Sequence, residues 1–362
     1  MNVSTADASL PELGIVEAYF GRPWSWAERE DTMAFLAGAG YRFFLYAPKA
    51  DAHLRRRWRE PHSQAEHADL LRFAARCRSS GVRFGVGLSP FEVWRDFGRQ
   101  TQRALAERLR ALDALGLDLL ALLFDDMHGD MPDLAARQAD IVAFAAAHTR
   151  AAQVWVCPTY YSDDPVLDRV FGARPVGYLA TLGRALDPSV QVFWTGEEVC
   201  AREFGRAHLE RVTDELGRRP ALWDNYPVND GERMSRHLHL RGFTGRGVLS
   251  AANIAAHAIN PALQPILTRV PMLTLALQYR LGTRYDYRAA TRNALTAVLG
   301  ERLGDLVHED LLSLQDLGRD RLGERAVALR ERYAAEPHPG AREVVAWLDG
   351  AYAIGAAEVQ TQ

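Results

Sequence analysis

Two adjacent carboxylates, Asp125 and Asp126, close the apolar run Leu119-Leu120-Ala121-Leu122-Leu123-Phe124. The run is short for a helix and fits a strand covered on both faces. Two ionised neighbours at a buried strand end would each lose much of their hydration unless paired, so the doublet calls for a chemical purpose. Successive strand side chains point to opposite faces. Both acids can therefore reach one site only where the strand ends and the chain turns outward, as acids are presented at the carboxyl ends of strands in a parallel barrel. The competing use of Asp126 or Asp130 is as a cap for a helix beginning near Met131-Pro132.

The elements that would position the pair follow from the alternation of short apolar runs with longer amphipathic ones. Strands are predicted over 14–20, 41–46, 82–88, 119–124, 154–157, 190–194 and 221–223, with a weaker eighth over 254–259 that reads equally as helix. Ser25 with Glu28 forms a capping box opening the first helix, and further helices are expected over 63–77, 101–115 and 134–147. Eight strands interleaved with helices in about 265 residues match a (β/α)8 barrel, here over residues 13–283, after an N-terminal tail of 1–12. A doubly wound open sheet is disfavoured because no Gly-rich phosphate loop follows the first strand. Beyond Arg284 strand signals stop. Amphipathic segments over 288–298, 303–317, 319–333 and 341–352 predict a small C-terminal helical bundle, 284–362, packed on the barrel.

In such a barrel the chemistry lies on the loops after the strands. Those loops carry Tyr19 to Trp24, Ala47-Pro48-Lys49, Asp125-Asp126, Pro158 to Tyr161, Thr195 to Glu198, Asp224 to Asp230 and Asn260-Pro261. One mouth thus collects acids, amides, aromatic rings and one Lys. That mixture suits a neutral polyhydroxylated ligand: acids and amides grip hydroxyls, and aromatic faces cover sugar C–H surfaces. No phosphate cradle and no Ser or Cys nucleophile elbow is present. His237-Leu238-His239 has strand-like spacing but no acid partner for a metal, so both are read as surface or packing histidines.

Bulk composition agrees. The 362 residues are 48% hydrophobic and 25% charged, with formal net charge −3. This is ordinary globular composition and argues against a nucleic-acid footprint, although Arg greatly outnumbers Lys. The clusters Arg55-Arg56-Arg57 and Arg218-Arg219 are read as solvated faces. Cys77, Cys157 and Cys200 are odd in number and widely spaced, which gives no disulfide framework and no metal pattern. No secretory signal or bilayer-spanning window is visible, so a cytoplasmic protein with no nucleic-acid or membrane partner is expected.

Taken together, the clusters resemble the glycoside hydrolase family 84 β-N-acetylglucosaminidases, which include the O-GlcNAcases. The matching segments are Gly14-Ile15-Val16-Glu17 with Phe20-Gly21-Arg22-Pro23-Trp24, and Leu45 to Lys49 with Trp58-Arg59-Glu60. Leu123 to Asp126, Cys157-Pro158-Thr159 with Tyr161, Trp194-Thr195-Gly196, Trp223-Asp224-Asn225 with Asn229-Asp230, and Asn260-Pro261 complete the set, in the family's order. The resemblance implies a cofactor-free retaining exo-enzyme acting on terminal β-linked GlcNAc of a glycoside or glycoprotein. Hyaluronan fragments, another N-acyl amino sugar glycoside, or a non-catalytic carbohydrate-binding barrel are the alternatives. It further implies that the sugar's own acetamido oxygen attacks C1 to form an oxazoline. Asp125 would polarise the acetamido N–H, and Asp126 would act as general acid and then base. A neighbouring carboxylate is expected to raise the pKa of that acid. Lys49, Asn225, Asp230 and Asn260 would bind sugar hydroxyls or hold the acetamido group, Tyr161 would bond the acetamido oxygen, and Trp223 would wall its pocket. The family's Gly-Phe-Tyr-Gly is here Ala18-Tyr19-Phe20-Gly21. Ala18 still offers the backbone carbonyl expected to meet the sugar, with a methyl that narrows the pocket. A rival alignment to Asn260 sets Ala251-Ala252 at the amide position, with Asn253 nearby.

Overall fold

The predicted strands close on one another. In the computed structural model, which describes residues 10–247 and 253–355, eight parallel strands form a closed barrel in sequence order. They are β1 (Glu12–Glu17), β2 (Tyr41–Tyr46), β3 (Arg83–Leu88), β4 (Leu119–Leu123), β5 (Gln153–Cys157), β6 (Gln191–Trp194), β7 (Ala221–Asp224) and β8 (Ala256–Ile259). β8 pairs with both β7 and β1, so the ambiguous eighth segment is a strand. β1 ends at Glu17 rather than Phe20, which releases 18–24 into the loop above the barrel.

Inside the barrel, rings from four strands meet at steep angles. Phe43 contacts Trp155 at 5.3 Å between centroids, Trp155 contacts Phe193 at 5.0 Å, and Phe193 contacts Trp223 at 5.2 Å. Gly14 makes room for this stack, since a Cβ there would lie 2.2 Å from the Phe43 ring. Trp223, at the top of the stack, therefore belongs both to the core and to the floor of the mouth.

Helices cover the outside: α1 (Trp26–Ala39), α2 (Gln64–Ser79), α3 (Arg99–Asp113), α4 (Leu134–His148), α5 (Pro165–Phe171), α6 (Tyr178–Ala185), α7 (Arg206–Leu216) and α8 (Arg269–Leu281). Ser25 and Glu28 make the expected capping box, and Ser63 with Glu66 makes a second. α4 begins after Asp133, so neither Asp126 nor Asp130 caps it. Among the described residues no helix is long and apolar enough to cross a membrane.

The C-terminal segments are helical, with boundaries that glycines move. α9 (Tyr287–Leu311) is broken at Gly300, whose φ of 76° leaves the helical region, and runs on into a π-helical stretch, Leu312–Leu317. Gly318 and Gly323, both at positive φ, delay α10 to Arg325–Ala334, and α11 (Pro339–Leu348) stops before Gly350. These helices share a core with the barrel's own loops: Tyr19, Trp24, Leu238 and Leu263 pack with Val307, Leu314, Trp347 and Ile354.

Candidate active site

β4 delivers the two acids, and the backbone turns them to one place. Phe124 N–H still donates to Cys157 O at 2.9 Å, and Phe124 O accepts from the Thr159 hydroxyl at 2.9 Å. Asp126 then adopts φ 58°, the left-handed region that non-glycine residues seldom occupy outside functional sites. That single turn defeats strand alternation. Lys49, at the end of β2, salt-bridges Asp125 Oδ2 and lies 3.0 Å from Asp126 Oδ2. Tyr161 Oη donates to Asp126 Oδ1 at 3.5 Å from the β5 loop. Asp125 Oδ1 is buried and has no hydrogen-bond donor among the described residues.

The electrostatics correct one expectation. Burial alone would raise the Asp126 pKa, yet the Lys49 ammonium and the Arg55 guanidinium beside it hold the carboxyl below the ordinary range. The neighbouring carboxylate does not dominate, because two cations reach the doublet from the chain after β2: Lys49, and Arg55, which is buried there rather than part of a solvated face. The carboxyl that burial does raise is Asp230, pushed up to about 6. Its bond from Phe20 N–H draws it back, and the nearby negative Asp126 adds to the rise.

The opposite wall is built from amides on the β7 and β8 loops. Ala18 N–H donates to Asn260 Oδ1 at 3.3 Å, Asn260 Nδ2 to Asn225 Oδ1 at 3.1 Å, and Trp223 Nε1 to the same Asn225 oxygen at 3.0 Å. Asn225 Nδ2 reaches Val199 O at 2.9 Å, and Asp230 Oδ2 accepts from Phe20 N–H at 3.0 Å. Beneath them Asp224 is gripped by Arg246 through both carboxylate oxygens at 2.8 Å, and His257 Nε2 lies 3.0 Å from Oδ2. Breaking one partner of such a buried pair costs about 3–5 kcal/mol. This pair fixes the strand end from which Trp223 and Asn225 project.

All nine residues singled out for the site, Ala18, Lys49, Asp125, Asp126, Tyr161, Trp223, Asn225, Asp230 and Asn260, line one cavity of about 210 Å³. The rival alignment is disfavoured by position: Asn253 precedes β8, at the end of the barrel away from the mouth, while Ala251 and Ala252 lie outside the described residues. Phe20, whose ring packs under the Lys49 ammonium at 5.7 Å, also lines the cavity, together with Cys157, Thr195, Val199 and Cys200. Thr195 directly follows β6, in the segment Trp194-Thr195-Gly196. Its N–H bonds Tyr161 O at 2.9 Å and so fixes the tyrosine's backbone. The Asp224–Arg246–His257 support was not anticipated, because the sequence holds no signal pairing residues 22 and 33 positions apart. His237 and His239 each place Nδ1 against a backbone carbonyl, Gln315 O and Pro227 O, as packing histidines do. No cluster of three or more His, Cys, Asp or Glu side chains suited to a metal occurs among the described residues.

Comparison with known proteins agrees with this geometry. The chain is 28% identical over 278 residues to the protein O-GlcNAcases of Mus musculus and Rattus norvegicus. Each match covers 74% of this chain but 30% of the relative, so the chain spans well under half the length of those proteins. A solved structure of a Thermobaculum terrenum O-GlcNAc hydrolase mutant superposes with a TM-score of 0.77 at 26% identity, covering 93% of this chain and 80% of that one. The NAGidase family, described as beta-N-acetylglucosaminidase, matches residues 13–315. With a family match across most of its length and the acid doublet at the mouth of its barrel, the chain belongs to the β-N-acetylglucosaminidase family of glycoside hydrolases.

Proposed function

We propose that this cavity removes a terminal β-linked N-acetylglucosamine with retention, the sugar's acetamido group serving as nucleophile. The observation that carries the reading is the unpaired Asp125 Oδ1 beside Asp126 in a cavity walled by amides and a tryptophan. A buried carboxylate oxygen without a donor is costly in the free protein and is satisfied by an incoming N–H. Two adjacent acids cannot flank a glycosidic bond as the pair of a conventional retaining enzyme does, at about 5 Å across the scissile bond. They can serve one edge of a substrate that brings its own attacking atom.

In this scheme the acetamido oxygen attacks C1 while the C1–O bond to the leaving group breaks. Asp126 donates its proton to the departing oxygen, and Asp125 holds the acetamido N–H as positive charge develops there. Water then attacks C1 of the oxazoline, gives its proton to Asp126, and regenerates the acetamido group. Lys49 keeps Asp126 ionised in the free cavity. The bound sugar must draw the ammonium away and exclude water, and both changes raise Asp126 toward an acid's pKa. Tyr161 lies within reach of the acetamido oxygen, while Asp230, Asn225 and Asn260 take hydroxyls. The leaving group would exit past Val199 and Cys200 into an adjoining groove of about 910 Å³ that shares both residues with the cavity.

The test uses aryl β-N-acetylglucosaminides of graded leaving-group acidity. Asp126→Ala should lose about 10²–10⁴-fold on poor leaving groups and far less on good ones, which need no proton. Asp125→Ala should lose about 10³-fold on both, since its role is independent of the leaving group. An Asp126→Ala loss that ignores the leaving group would overturn the assignment. Hydrolysis of a substrate lacking the N-acyl group at the same rate would overturn the mechanism.

A further inference from the structure

The β7 and β8 loops, which carry Asn225, Asp230 and Asn260, are not held by the barrel alone. Gln315, in the π-helical stretch after α9, accepts Leu240 N–H at 2.8 Å and Arg241 N–H at 2.9 Å on its side-chain oxygen. Its backbone oxygen lies 2.7 Å from His237 Nδ1, and Leu314 O accepts Leu238 N–H at 3.0 Å. From α11, the buried Glu343 carboxylate accepts the backbone N–H groups of Ile266 at 2.9 Å and Leu267 at 2.9 Å. Besides the Asn260–Asn225 bond, a second joint links the two loops. The fully buried Asn229, next to Asp230, donates to His237 O at 3.0 Å and to Gln264 Oε1 at 3.0 Å, and accepts from Leu263 N–H at 3.1 Å.

We infer that the C-terminal helices clamp the amide wall of the site, with Gln315 and Glu343 as positioning residues that set Asp230 and Asn260 through Asn229. Each backbone donor they satisfy is buried or half-buried, and losing the acceptor leaves it unpaired, so the loop must shift or open to water. Among the described residues no comparable contact from the C-terminal helices reaches the acid doublet. Lys49, Thr159 and Tyr161 hold that side from the barrel itself. The clamp rests on the reading of Asp230 and Asn260 as hydroxyl-binding groups, and its test separates the two.

The full-length protein is compared with Glu343→Ala, Gln315→Ala and Glu343→Gln, the last keeping an acceptor of the same shape. Amide hydrogen exchange of segments 226–241 and 260–268 reads the clamp without reference to activity. Glu343→Ala should accelerate exchange in 260–268, and Gln315→Ala in 226–241. Segments 119–126 and 153–161 should stay at the wild-type rate, and Glu343→Gln should restore most of the protection. On an aryl β-N-acetylglucosaminide, Glu343→Ala should lower kcat/KM about tenfold. Combined with Asp230→Ala the losses should be less than multiplicative, and with Tyr161→Phe they should multiply. Unchanged exchange in both loops overturns the clamp whatever the activity. Faster exchange with multiplicative losses in both pairs also overturns it, because the loops then move without moving Asp230. An inactive wild type with the expected exchange pattern overturns the substrate reading and keeps the clamp. Should Glu343→Ala fail to fold, Gln315→Ala with Glu343→Gln carries the same comparison.

Discussion

The two walls of the cavity are built by different means. The acid wall is made by strand ends: β4 stops, Asp126 turns at φ 58°, and the short loops after β2 and β5 bring Lys49 and Tyr161 to it. The amide wall is made by the long β7 loop and the β8 loop, joined by Asn229 and held from outside by the C-terminal helices. Reacting groups need sub-ångström placement against a developing charge, and a strand end supplies it locally. Groups that grip hydroxyls need mainly to be present and satisfied, and side-chain bonds between loops suffice for that. The difference separates residues whose loss should depend on the leaving group from residues whose loss should not.

Truncation on the amide wall is the sharpest probe of that separation after the acids themselves. Asp230→Ala and Asn260→Ala should each lower kcat/KM by about 10–100-fold, the range for removing one partner of a charged or buried hydrogen bond. The loss should be the same for good and poor leaving groups. A deoxy sugar lacking the hydroxyl that Asp230 holds should suffer little further loss in Asp230→Ala. Steady-state kinetics over a leaving-group series measure both, and a loss that tracks leaving-group acidity would move Asp230 to the acid wall.

A smaller effect should come from Lys49, the cation of the acid wall. Its ammonium and Arg55 outweigh burial in holding Asp126 below the ordinary carboxylate range. For kcat/KM, which reports the free enzyme, the upper limb belongs to loss of the acid's proton. Removing the cation in Lys49→Met should raise the Asp126 pKa and move that limb to higher pH by about one unit, alongside a lower plateau. A limb that stays in place would show that another group controls it, and Asp230, which burial pushes up to about 6, is the candidate in the cavity.

The same division explains what the sequence made legible. The acid wall is readable because its cause is local: an apolar run, two acids, and the rule that a barrel presents chemistry at strand ends. Seven strands and both ends of α4 could be placed from periodicity and punctuation, and the eighth settled only through its pairing with β7 and β1. What stayed hidden depends on residues far apart in the chain. The direction of the Asp126 shift required knowing that Lys49 and Arg55 arrive from the β2 loop. The Asp224–Arg246–His257 support, the Asn229 joint and the role of the C-terminal helices all rest on side-chain bonds between segments that share no pattern. α8 escaped because the stretch from Thr268 to Leu281 is apolar on most sides, with Pro271 in its first turn, and so lacks amphipathic contrast. Gly300 and Gly318 shifted the boundaries of the last helices by backbone freedom that no periodicity encodes.

The smallest expected effect concerns the clamp's own chemistry and is read in stability rather than rate. Burial pushes the Glu343 carboxyl up to about 8, while its two N–H donors and Arg269 pull it down and Glu28 adds to the rise. In the unfolded chain a Glu titrates near about 4.3. Between those values the folded state holds one more proton than the unfolded state, so this group's contribution falls as pH rises through the window. Stability from Glu343 is therefore greatest below about pH 4 and declines toward pH 8, the opposite of a salt-bridged acid such as Asp224, whose contribution is lost on acidification. Glu343→Gln cannot ionise, so its Tm should fall less than that of the wild type between pH 5 and pH 8. At pH 8 it should melt about 2 °C above the wild type. A wild-type Tm that is level across that range, or a Gln variant with the same slope, would mean that the carboxyl is ionised as comfortably in the folded chain as in water, and that α11 grips the β8 loop as a charged cap rather than as a neutral acceptor.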